Sequence, residues 1–273
     1  MSASPKVSVL MPAYNAEKYI GEAIESILNQ TFKDFEFIII DDCSTDNTWG
    51  IIQKYAEKDN RIVILRNEKN SKIPKTLNRG LSISRGKYIA RVDADDWSYP
   101  YRLDKQINFM ESHPEVGVSG GNMEVCDETM NKIGLRRYNL DDGKIRKKIF
   151  RYSPFSHPLI IFRADVAQNL RGYNEDLSDA EDYDLYFRIG RYYKFSNLDD
   201  ILLKYRVTKN SFSHSRVKKQ ELVTLYVRLK AIKEYGYKME FGDIIYFIFQ
   251  LVGIFLTPGS VKVWLFNFFR NES

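Results

Sequence analysis

The chain has 273 residues, of which 44% are hydrophobic and 28% are charged, a composition typical of a globular protein and not of a disordered one. Its formal net charge is +5, and the sequence has no compact arginine-rich run. We therefore expect no nucleic-acid partner but an anionic substrate or an anionic membrane surface. The only cysteines are Cys43 and Cys126, which excludes a disulfide framework and a zinc site built from clustered cysteines.

The first hundred residues alternate apolar strand patterns with amphipathic helix patterns. The predicted strands, in chain order, are KVSVLM, FEFIII, RIVIL and KYIARV. The predicted helices between them are residues 20–28, TWGIIQKYAEK, and PKTLNRGLSIS, which has Pro74 near its start. This alternation predicts an α/β fold with right-handed crossovers and a Rossmann-like, mostly parallel sheet that is flanked by helices.

The pattern changes after about residue 100. PYRLDKQINFMESH predicts a helix, VGVSGGNMEVC a strand, and the following stretch a hairpin or loop that leads into the basic helix DGKIRKKIF. AEDYDLYFRIGRYY predicts a helix with an acidic first turn, as a helix N-terminus prefers. A basic helical stretch and an apolar stretch follow Val207. We therefore predict an α/β domain, residues 1–207, and a helical C-terminal extension, residues 208–273.

Aspartates follow two of the predicted strands at the point where each strand ends. Asp41 and Asp42 come after the second strand, and Asp93, Asp95 and Asp96 come after the fourth. Because ligands of such sheets bind at the carboxyl ends of the strands, we expect these side chains on one rim. Carboxylates this close together need a compensating cation or hydrogen-bond donors. The second group therefore predicts either a Mg²⁺ or Mn²⁺ site with Asp95 as a ligand, or an acidic turn that caps the next helix.

The stretches IIIDDCSTDNT and MPAYNAEKYI each allow two interpretations. In the first, Asp41 or Asp42 can accept hydrogen bonds from a nucleobase or a ribose hydroxyl, or Ser44 or Asp46 caps a helix and explains the polarity. In the second, backbone groups and the Tyr14 ring can hold a flat base, or the segment is a turn with a buried tyrosine.

The stretch AEDYDLYFRI places three carboxylates, Glu181, Asp182 and Asp184, near a predicted helix start. A carboxylate in a pocket opposite the aspartate rim can act as a general base towards a hydroxyl nucleophile. The alternative is a helix face that is simply exposed to solvent.

Three stretches together resemble the family 2 glycosyltransferases, which are inverting enzymes with a GT-A fold. They are the segment from VSVLMPAYNAEKYI to IIIDDCSTDNT, the segment NRGLSISRGKYIARVDADDW, and the segment GYNEDLSDAEDYDLYFRI. The similarity covers roughly residues 5 to 207, and the motifs are specific in combination although each is weak alone. The resemblance implies a nucleotide pocket lined by Pro12, Ala13 and Tyr14. It also implies that Asp42, with Asp41 beside it, contacts the base.

The same resemblance assigns roles to the other acidic residues. VDADD is similar to the Asp-x-Asp motif of the family, which implies that Asp93 lies near the ribose and that Asp95 binds the Mn²⁺ or Mg²⁺ ion bridging the diphosphate. Asp182 matches the catalytic base of the family. His157 in FSHPLIIFR and Glu181 are expected near the acceptor.

Two segments depart from the family pattern. Many relatives carry a histidine two residues after the arginine of a stretch like YRVTKNS, where this chain has Thr208, and Arg206 or His214 are the candidate substitutes. The segment NSKIPKTLNRG lacks the glycines common in the family. Three of its basic residues are expected near the phosphates: Lys72, Lys75 and Arg79.

The sequence thus predicts a metal-dependent inverting glycosyltransferase, with a UDP-sugar as the favoured donor. The acceptor is expected to be a hydroxyl of a glycan or of a lipid-linked molecule in cell-surface polysaccharide synthesis. The alternative is a catalytically silent nucleotide-sugar-binding or scaffold protein with the same fold. A nicotinamide dehydrogenase is disfavoured because no G-x-G-x-x-G follows the first strand.

The C-terminal stretch predicts an association with a membrane or with protein. Residues 244–256 are apolar but shorter than the roughly twenty residues that a spanning helix needs, and Pro258 and Gly259 interrupt them before a second apolar piece with Trp264. Basic residues precede this stretch: Lys218, Lys219, Arg228, Lys230, Lys233 and Lys238. The pattern favours a helix pair lying in an anionic membrane interface, and packing on the α/β domain or a homo-oligomer interface is the alternative. Since the N-terminus has no signal-peptide pattern, we expect a cytoplasmic protein at the inner face of the cell membrane.

Overall fold

The computed structural model describes residues 4–208 and 217–257. Within these ranges, nine strands form one sheet in the order β3-β2-β1-β4-β8-β6-β9-β5, and β7 pairs with β6 off this path. The strands are Val7–Ala13 (β1), Phe35–Asp41 (β2), Ile62–Arg66 (β3), Tyr88–Arg91 (β4), Trp97–Ser98 (β5), Val116–Cys126 (β6), Lys132–Arg136 (β7), Ile161–Arg163 (β8) and Lys194–Arg206 (β9).

The sheet has a parallel part and a mixed part. β3, β2, β1 and β4 are parallel neighbours, as the alternation of strands and helices predicts. Beyond β4 the sheet is mixed, because β8 is antiparallel to both β4 and β6 whereas the long pair β6 and β9 is parallel. β5, β8 and β9 were not predicted from the sequence.

Nine α-helices cover this sheet in the described residues. They are Ile20–Leu28 (α1), Thr48–Ala56 (α2), Lys72–Ile83 (α3), Arg102–Ser112 (α4), Asp142–Lys148 (α5), Ala164–Asn169 (α6), Glu181–Ile189 (α7), Val217–Tyr235 (α8) and Phe241–Leu256 (α9). A short 3₁₀ turn, His157–Leu159, precedes β8.

Strand β1 shows why the parallel part is buried on both faces. Val9 and Met11 pack in one hydrophobic cluster with Ile24 of α1, whereas Leu10 packs in a second cluster with Leu77 of α3. Side chains of a strand alternate between faces, so a strand covered by helices on both sides is apolar throughout. Each fully buried side chain of this size stabilises the fold by about 1.5–3 kcal/mol. The two clusters hold the strand ends, where the aspartates lie, in fixed positions.

The C-terminal helices pack onto the α/β part of the chain. Val227 and Ala231 of α8 are fully buried and belong to the same cluster as Leu185 and Phe187 of α7. In the described part of the chain, no helix is both long enough and apolar enough to cross a membrane. His214, Pro258, Gly259 and Trp264 lie outside the described residues.

Candidate active site

The carboxyl ends of β1, β2 and β4 form one rim of the sheet. Ala13 is paired in register with Asp41, and the next residue, Asp42, donates its backbone N–H to the Ala13 carbonyl at 2.8 Å. On the other side of β1, the Val92 N–H bonds the Leu10 carbonyl at 3.0 Å, which fixes the start of the acidic loop, residues 93–96. The structure therefore brings together the two aspartate groups that follow separate strands in the sequence.

In the acidic loop, carboxylate oxygens of Asp93, Asp95 and Asp96 lie within 4.8 Å of one another. Burial, and then the negative charge of Asp93, raise the pKa of Asp95 to about 7. Burial, followed by the charges of Asp95 and Asp93, raises the pKa of Asp96 as well. Arg91 compensates part of this charge, since its Nη2 lies 2.6 Å from Asp93 Oδ1. The loop holds more negative charge than its protein neighbours neutralise.

These residues fit a divalent cation. Asp96 Oδ1 accepts the Arg206 N–H at 2.9 Å, but its Oδ2 is buried and has no hydrogen-bond partner among the described residues. Mg²⁺ and Mn²⁺ favour oxygen ligands and usually bind through one or two carboxylates together with substrate phosphates. The orphaned oxygen and the clustered carboxylates provide that donor set, with Asp95 as the expected ligand.

Arg206 fixes the acidic loop from behind. Its Nε donates to the Asp95 carbonyl at 2.8 Å, its Nη2 lies 2.6 Å from Glu22 Oε2, and its Nη1 donates to the Glu128 carbonyl. The guanidinium also stacks over the Tyr19 ring at 4.2 Å, and the side chain is only 2% exposed. Three of its five N–H donors are thus engaged and the side chain is almost fully buried, so the observed role of Arg206 is to hold the acidic loop in place.

Asp42 organises the loop between β3 and α3. Its Oδ1 accepts the Asn67 side-chain amide at 2.6 Å and the Ser71 N–H at 2.7 Å, and its Oδ2 accepts the Lys72 N–H at 3.0 Å. Lys72 has a φ of 72°, in the left-handed region that favours glycine, at the segment where the sequence lacks the expected glycines. Arg79 donates to Asn67 Oδ1 at 2.6 Å and so supports the same loop.

Asp41 has a different set of contacts. It is fully buried, and its Oδ2 lies 3.0 Å from Arg66 Nε and accepts the Ser44 N–H at 3.2 Å. Its Oδ1 has no partner among the described residues and can accept a further hydrogen bond. Asp46 accepts the Thr48 N–H at the start of α2 at 3.0 Å, but the N-cap of α2 is Asn47, so the expectation that Ser44 or Asp46 is the N-cap is wrong.

Tyr14 extends from the end of β1 towards solvent. Its side chain is 50% exposed, so the alternative of a buried tyrosine is wrong. The turn that follows is held by Asn15, which has a φ of 49°, accepts the Thr45 N–H at 2.9 Å and donates its own N–H to Ser44 Oγ at 3.0 Å. The exposed ring beside Pro12 suits the expected contact with a flat base.

A second group of polar side chains surrounds the start of α7, and we call Glu181, Asp182, His157 and Tyr173 the α7 cluster. Burial, and then the charge of Asp182, raise the pKa of Glu181 to about 8. Burial also raises the pKa of Asp182, although the Tyr183 N–H, 2.8 Å from its Oδ1, and the charge of Arg91 oppose this change. Glu181 is 6% exposed, so the alternative of a solvated helix face is wrong.

Within the α7 cluster, His157 contacts Tyr173. Its Nε2 lies 3.1 Å from the Tyr173 hydroxyl. Burial, and then the positive charge of Arg91, lower the pKa of His157 well below its ordinary value, so the ring is neutral near pH 7. A neutral imidazole can accept or donate one hydrogen bond without adding charge to the cluster.

Arg91 connects the two acidic groups and was not predicted. Its side chain is 3% exposed and is paired with Asp93, yet its charge also acts on Asp182, Glu181 and His157. Its Nε and Nη1 are buried and have no hydrogen-bond partner among the described residues. The signal in the sequence was an arginine within an otherwise apolar strand, since an unpaired charge in such a position is costly.

The comparisons with known proteins agree with this geometry. The family model described as "Glycosyl transferase family 2" matches residues 8–192. A relative from Methanocaldococcus jannaschii, "Uncharacterized glycosyltransferase MJ1057", is 36% identical over 268 residues, which are 93% of this chain and 90% of that protein. The chain belongs to glycosyltransferase family 2.

Two further similarities extend this assignment. The "Amylovoran biosynthesis glycosyltransferase AmsE" of Erwinia amylovora is 32% identical over 267 residues, 95% of this chain and 97% of that protein. The crystal structure of S. aureus TarS 1-349 in complex with UDP-GlcNAc superposes with a TM-score of 0.70 at 24% identity, covering 85% of this chain and 68% of that one. The latter similarity concerns the fold alone, and it confirms the predicted α/β architecture of the GT-A type.

Proposed function

We propose that this family 2 glycosyltransferase transfers a sugar with inversion from a UDP-sugar to a hydroxyl of a glycan or lipid-linked acceptor in cell-surface polysaccharide synthesis. The observation that carries the proposal is the pair of largely buried acidic groups, the acidic loop and the α7 cluster, which both feel the charge of Arg91. The relative AmsE is named for amylovoran biosynthesis, and the TarS structure holds UDP-GlcNAc, which supports a UDP-sugar as donor.

On the donor side, the rim supplies groups of the right chemistry for each part of a nucleotide. The exposed Tyr14 ring can stack on a base, and the unpartnered Oδ1 of Asp41 can accept a hydrogen bond from a base N–H. This geometry favours Asp41 for the direct base contact, whereas Asp42 holds the loop beside it. Asp93 and Asp95 would hold the ribose and the Mn²⁺ or Mg²⁺ ion. A bound divalent cation would stabilise the negative charge that develops on the leaving diphosphate.

On the acceptor side, Asp182 is the base that removes the proton from the attacking hydroxyl. Its pKa is raised from an ordinary aspartate value, which makes the carboxylate a stronger proton acceptor than an exposed one. The Tyr183 N–H and the charge of Arg91 oppose that rise and favour the ionised form that a base needs. Glu181 precedes it in the chain and His157 contacts Tyr173 of the same cluster, and we assign both to orienting the acceptor. Attack of the hydroxyl oxygen on the anomeric carbon forms the glycosidic bond, and the bond to the diphosphate oxygen breaks on the opposite face.

A catalytically silent binding or scaffold protein remains the second candidate. It would keep the nucleotide rim but would have no need for the carboxylates with raised pKa values at α7, whose burial costs stability and whose raised pKa values are typical of functional sites. The α7 cluster therefore favours the enzyme.

The test is a screen of UDP-, GDP- and dTDP-sugars with Mn²⁺ or Mg²⁺, measuring nucleotide release with and without added acceptors. We expect slow metal-dependent hydrolysis of one UDP-sugar and faster release when a suitable acceptor hydroxyl is present. Binding of a nucleotide sugar without any turnover would support the scaffold instead.

We further propose that α9 lies on an anionic membrane surface on the cytoplasmic side. Five of its apolar side chains are more than half exposed: Phe241, Ile248, Phe249, Phe255 and Leu256. An exposed apolar face of this size marks an interaction surface, and aromatic side chains beside lysines suit a lipid headgroup region. A membrane position would bring a lipid-linked acceptor to the enzyme.

The basic residues contribute to this surface less than the sequence suggested. Of the six, Arg228 is buried, and Lys219 and Lys230 pair with carboxylates of the α/β part. Lys218, Lys233 and Lys238 remain exposed, and each basic residue near an anionic surface contributes about 1 kcal/mol. The binding should therefore depend mainly on the apolar side chains of α9.

Vesicle flotation tests the membrane proposal with the full chain. The double variant Ile248→Ser, Phe249→Ser removes two exposed apolar side chains without opening the core, so it should lose most flotation with phosphatidylserine vesicles at low salt. Tyr192→Ser is the matched control, because Tyr192 is 64% exposed but lies outside α8 and α9. If the unchanged chain stays soluble with these vesicles and elutes as a dimer, α9 is an oligomer interface and the membrane proposal is wrong.

A further inference from the structure

Helix α8 contacts the chain on both sides of the two acidic residues that begin α7. Three of its basic side chains make these contacts: Lys219, Arg228 and Lys230. Lys219 and Lys230 pair with buried aspartates of the α/β part, and Arg228 bonds the Tyr183 hydroxyl and the Arg151 carbonyl there as well as Gln250 of α9.

The contact of Lys230 lies two residues after Asp182. Lys230 Nζ is 3.1 Å from Asp184 Oδ1, and the Tyr235 hydroxyl, at the end of α8, donates to the same oxygen at 2.9 Å. Asp184 Oδ2 is 2.7 Å from Arg188 Nε, and the Asp184 side chain is fully buried. The Asp184 carboxylate is thus shared between α7 and α8, and a buried carboxylate with charged partners fixes the backbone that carries it.

Arg228 holds the residue next to Asp182. It is buried, its Nε donates to the Tyr183 hydroxyl at 3.2 Å, and its Nη2 donates to the Arg151 carbonyl at 2.9 Å. The Tyr183 hydroxyl in turn donates to the Ile149 carbonyl. The Tyr183 side chain therefore has partners on two other elements, while its N–H bonds the Asp182 carboxylate.

Lys219 holds the chain before α7. Its Nζ lies 2.6 Å from Asp179 Oδ2, and Asp179 is buried although the Lys219 side chain is 56% exposed. This contact fixes the last turn of chain that leads into Glu181. The segment that presents Glu181 and Asp182 is therefore clamped by α8 at residues 179, 183 and 184.

We propose that Lys230, together with Arg228 and Lys219, is a positioning residue for transfer: α8 holds the start of α7 so that Asp182 meets the acceptor hydroxyl in a productive geometry. The inference rests on the proposed function of Asp182. A displacement of about 1 Å in a reacting group can cost up to a hundredfold in rate, and salt bridges to α8 restrain α7 on that scale.

The test compares full-length Lys230→Met with Lys230→Arg and with Lys54→Met, an exposed lysine of α2 that has no part in the proposed site or membrane surface. Active sites are counted by calorimetric titration with UDP and Mn²⁺. Turnover per site is measured as UDP release from UDP-N-acetylglucosamine, or from the UDP-sugar of the donor screen that is turned over fastest, with its acceptor. We expect Lys230→Met to lower turnover per site about tenfold at an unchanged donor KM. Lys230→Arg should restore most of it, and Lys54→Met should match the unchanged chain.

Counting sites separates positioning from folding. A purely structural role would reduce the number of UDP-binding sites and leave turnover per site unchanged, and that result overturns the inference. If Lys230→Met does not fold, Lys219→Met replaces it, since this side chain is more than half exposed; normal turnover per site in that variant equally overturns the inference. Asp182→Asn distinguishes a failure of the positioning inference from a failure of the proposed function. Full transfer activity in Asp182→Asn contradicts the proposed function itself.

Discussion

The acidic loop and the α7 cluster are both groups of carboxylates with raised pKa values, but the protein compensates them differently. In the acidic loop, Asp93 pairs with the buried Arg91, Asp96 accepts one backbone N–H, and the charges of two further buried arginines, Arg206 and Arg102, act on the aspartates, yet an oxygen of Asp96 is left without a partner among the described residues. In the α7 cluster, the carboxylates lie at a helix start whose flanking residues are neutralised by α8, and Asp182 has a backbone donor.

This difference in compensation indicates which source of positive charge each carboxylate group still needs. A helix N-terminus supplies partial positive charge, which favours the ionised form of Asp182 without any ligand, as its proposed role as a base requires. In the acidic loop the neighbouring arginines leave the pKa values of Asp95 and Asp96 raised, and a divalent cation would offset the remaining charge of three carboxylates within 4.8 Å. The acidic loop is therefore expected to respond both to metal and to pH, since the pKa of Asp95 is about 7, whereas the α7 cluster is expected to respond to pH but not to metal.

The largest effect is expected from Asp95→Asn, which removes one negative ligand from the loop. A divalent cation in such a site contributes several kcal/mol to the transition state, so metal-dependent turnover should fall roughly a thousandfold. UDP affinity should fall only when Mn²⁺ is present. Calorimetric titration with UDP, with and without Mn²⁺, measures both effects.

Asp200→Asn is the control for this variant, since Asp200 is a partly exposed aspartate that pairs with Lys105. It should behave like the unchanged chain. If the unchanged chain binds UDP equally well with and without Mn²⁺, the acidic loop is not a metal site and the contrast with the α7 cluster fails.

Asp182→Asn should show the opposite pattern. The amide cannot accept the proton of the acceptor hydroxyl, so turnover should fall by about a hundredfold or more, as typical for a positioned general base. UDP affinity and its dependence on Mn²⁺ should stay unchanged. Asp176→Asn, an exposed aspartate before α7, is the matched control. Near-normal transfer in Asp182→Asn would assign the base to another residue.

The sequence predicted the parallel part of the fold better than the mixed part, for a physical reason. β1, β2, β3 and β4 are apolar runs between amphipathic helices, and such runs are recognisable without knowing their neighbours. β5 and β8 have two and three residues, which is too short for a pattern. β9 is long, but it carries charged residues in its middle and pairs with β6 through several register shifts, so no clean alternation marks it.

The sequence also placed the aspartates on one rim, because parallel strands end on the same side of a sheet. It could not identify Arg91 as the link between the acidic groups. Arg91 influences Glu181 and His157, and each of these residues is more than sixty positions away from it in the chain. The lysines of α8 were assigned to a membrane because a basic helix does not by itself reveal which of its side chains face inward. Those contacts exist only after α8 packs on α7.

The smallest expected effect concerns the pH dependence, and it tests whether Arg91 joins the two groups electrostatically. Burial raises the pKa of Asp182, and the positive charge of Arg91 is one of the influences that hold it down. Since the base must be deprotonated, activity is lost as the pH falls through the pKa of Asp182. Arg91→Met should raise that pKa further, and the acid limb of the kcat profile should therefore move to higher pH. Arg91→Lys keeps the charge and should leave the limb near its original position, even if Asp93 is held less well and the plateau is lower. An acid limb that stays in place in Arg91→Met would show that Arg91 serves the acidic loop alone, and the two carboxylate groups would then act independently.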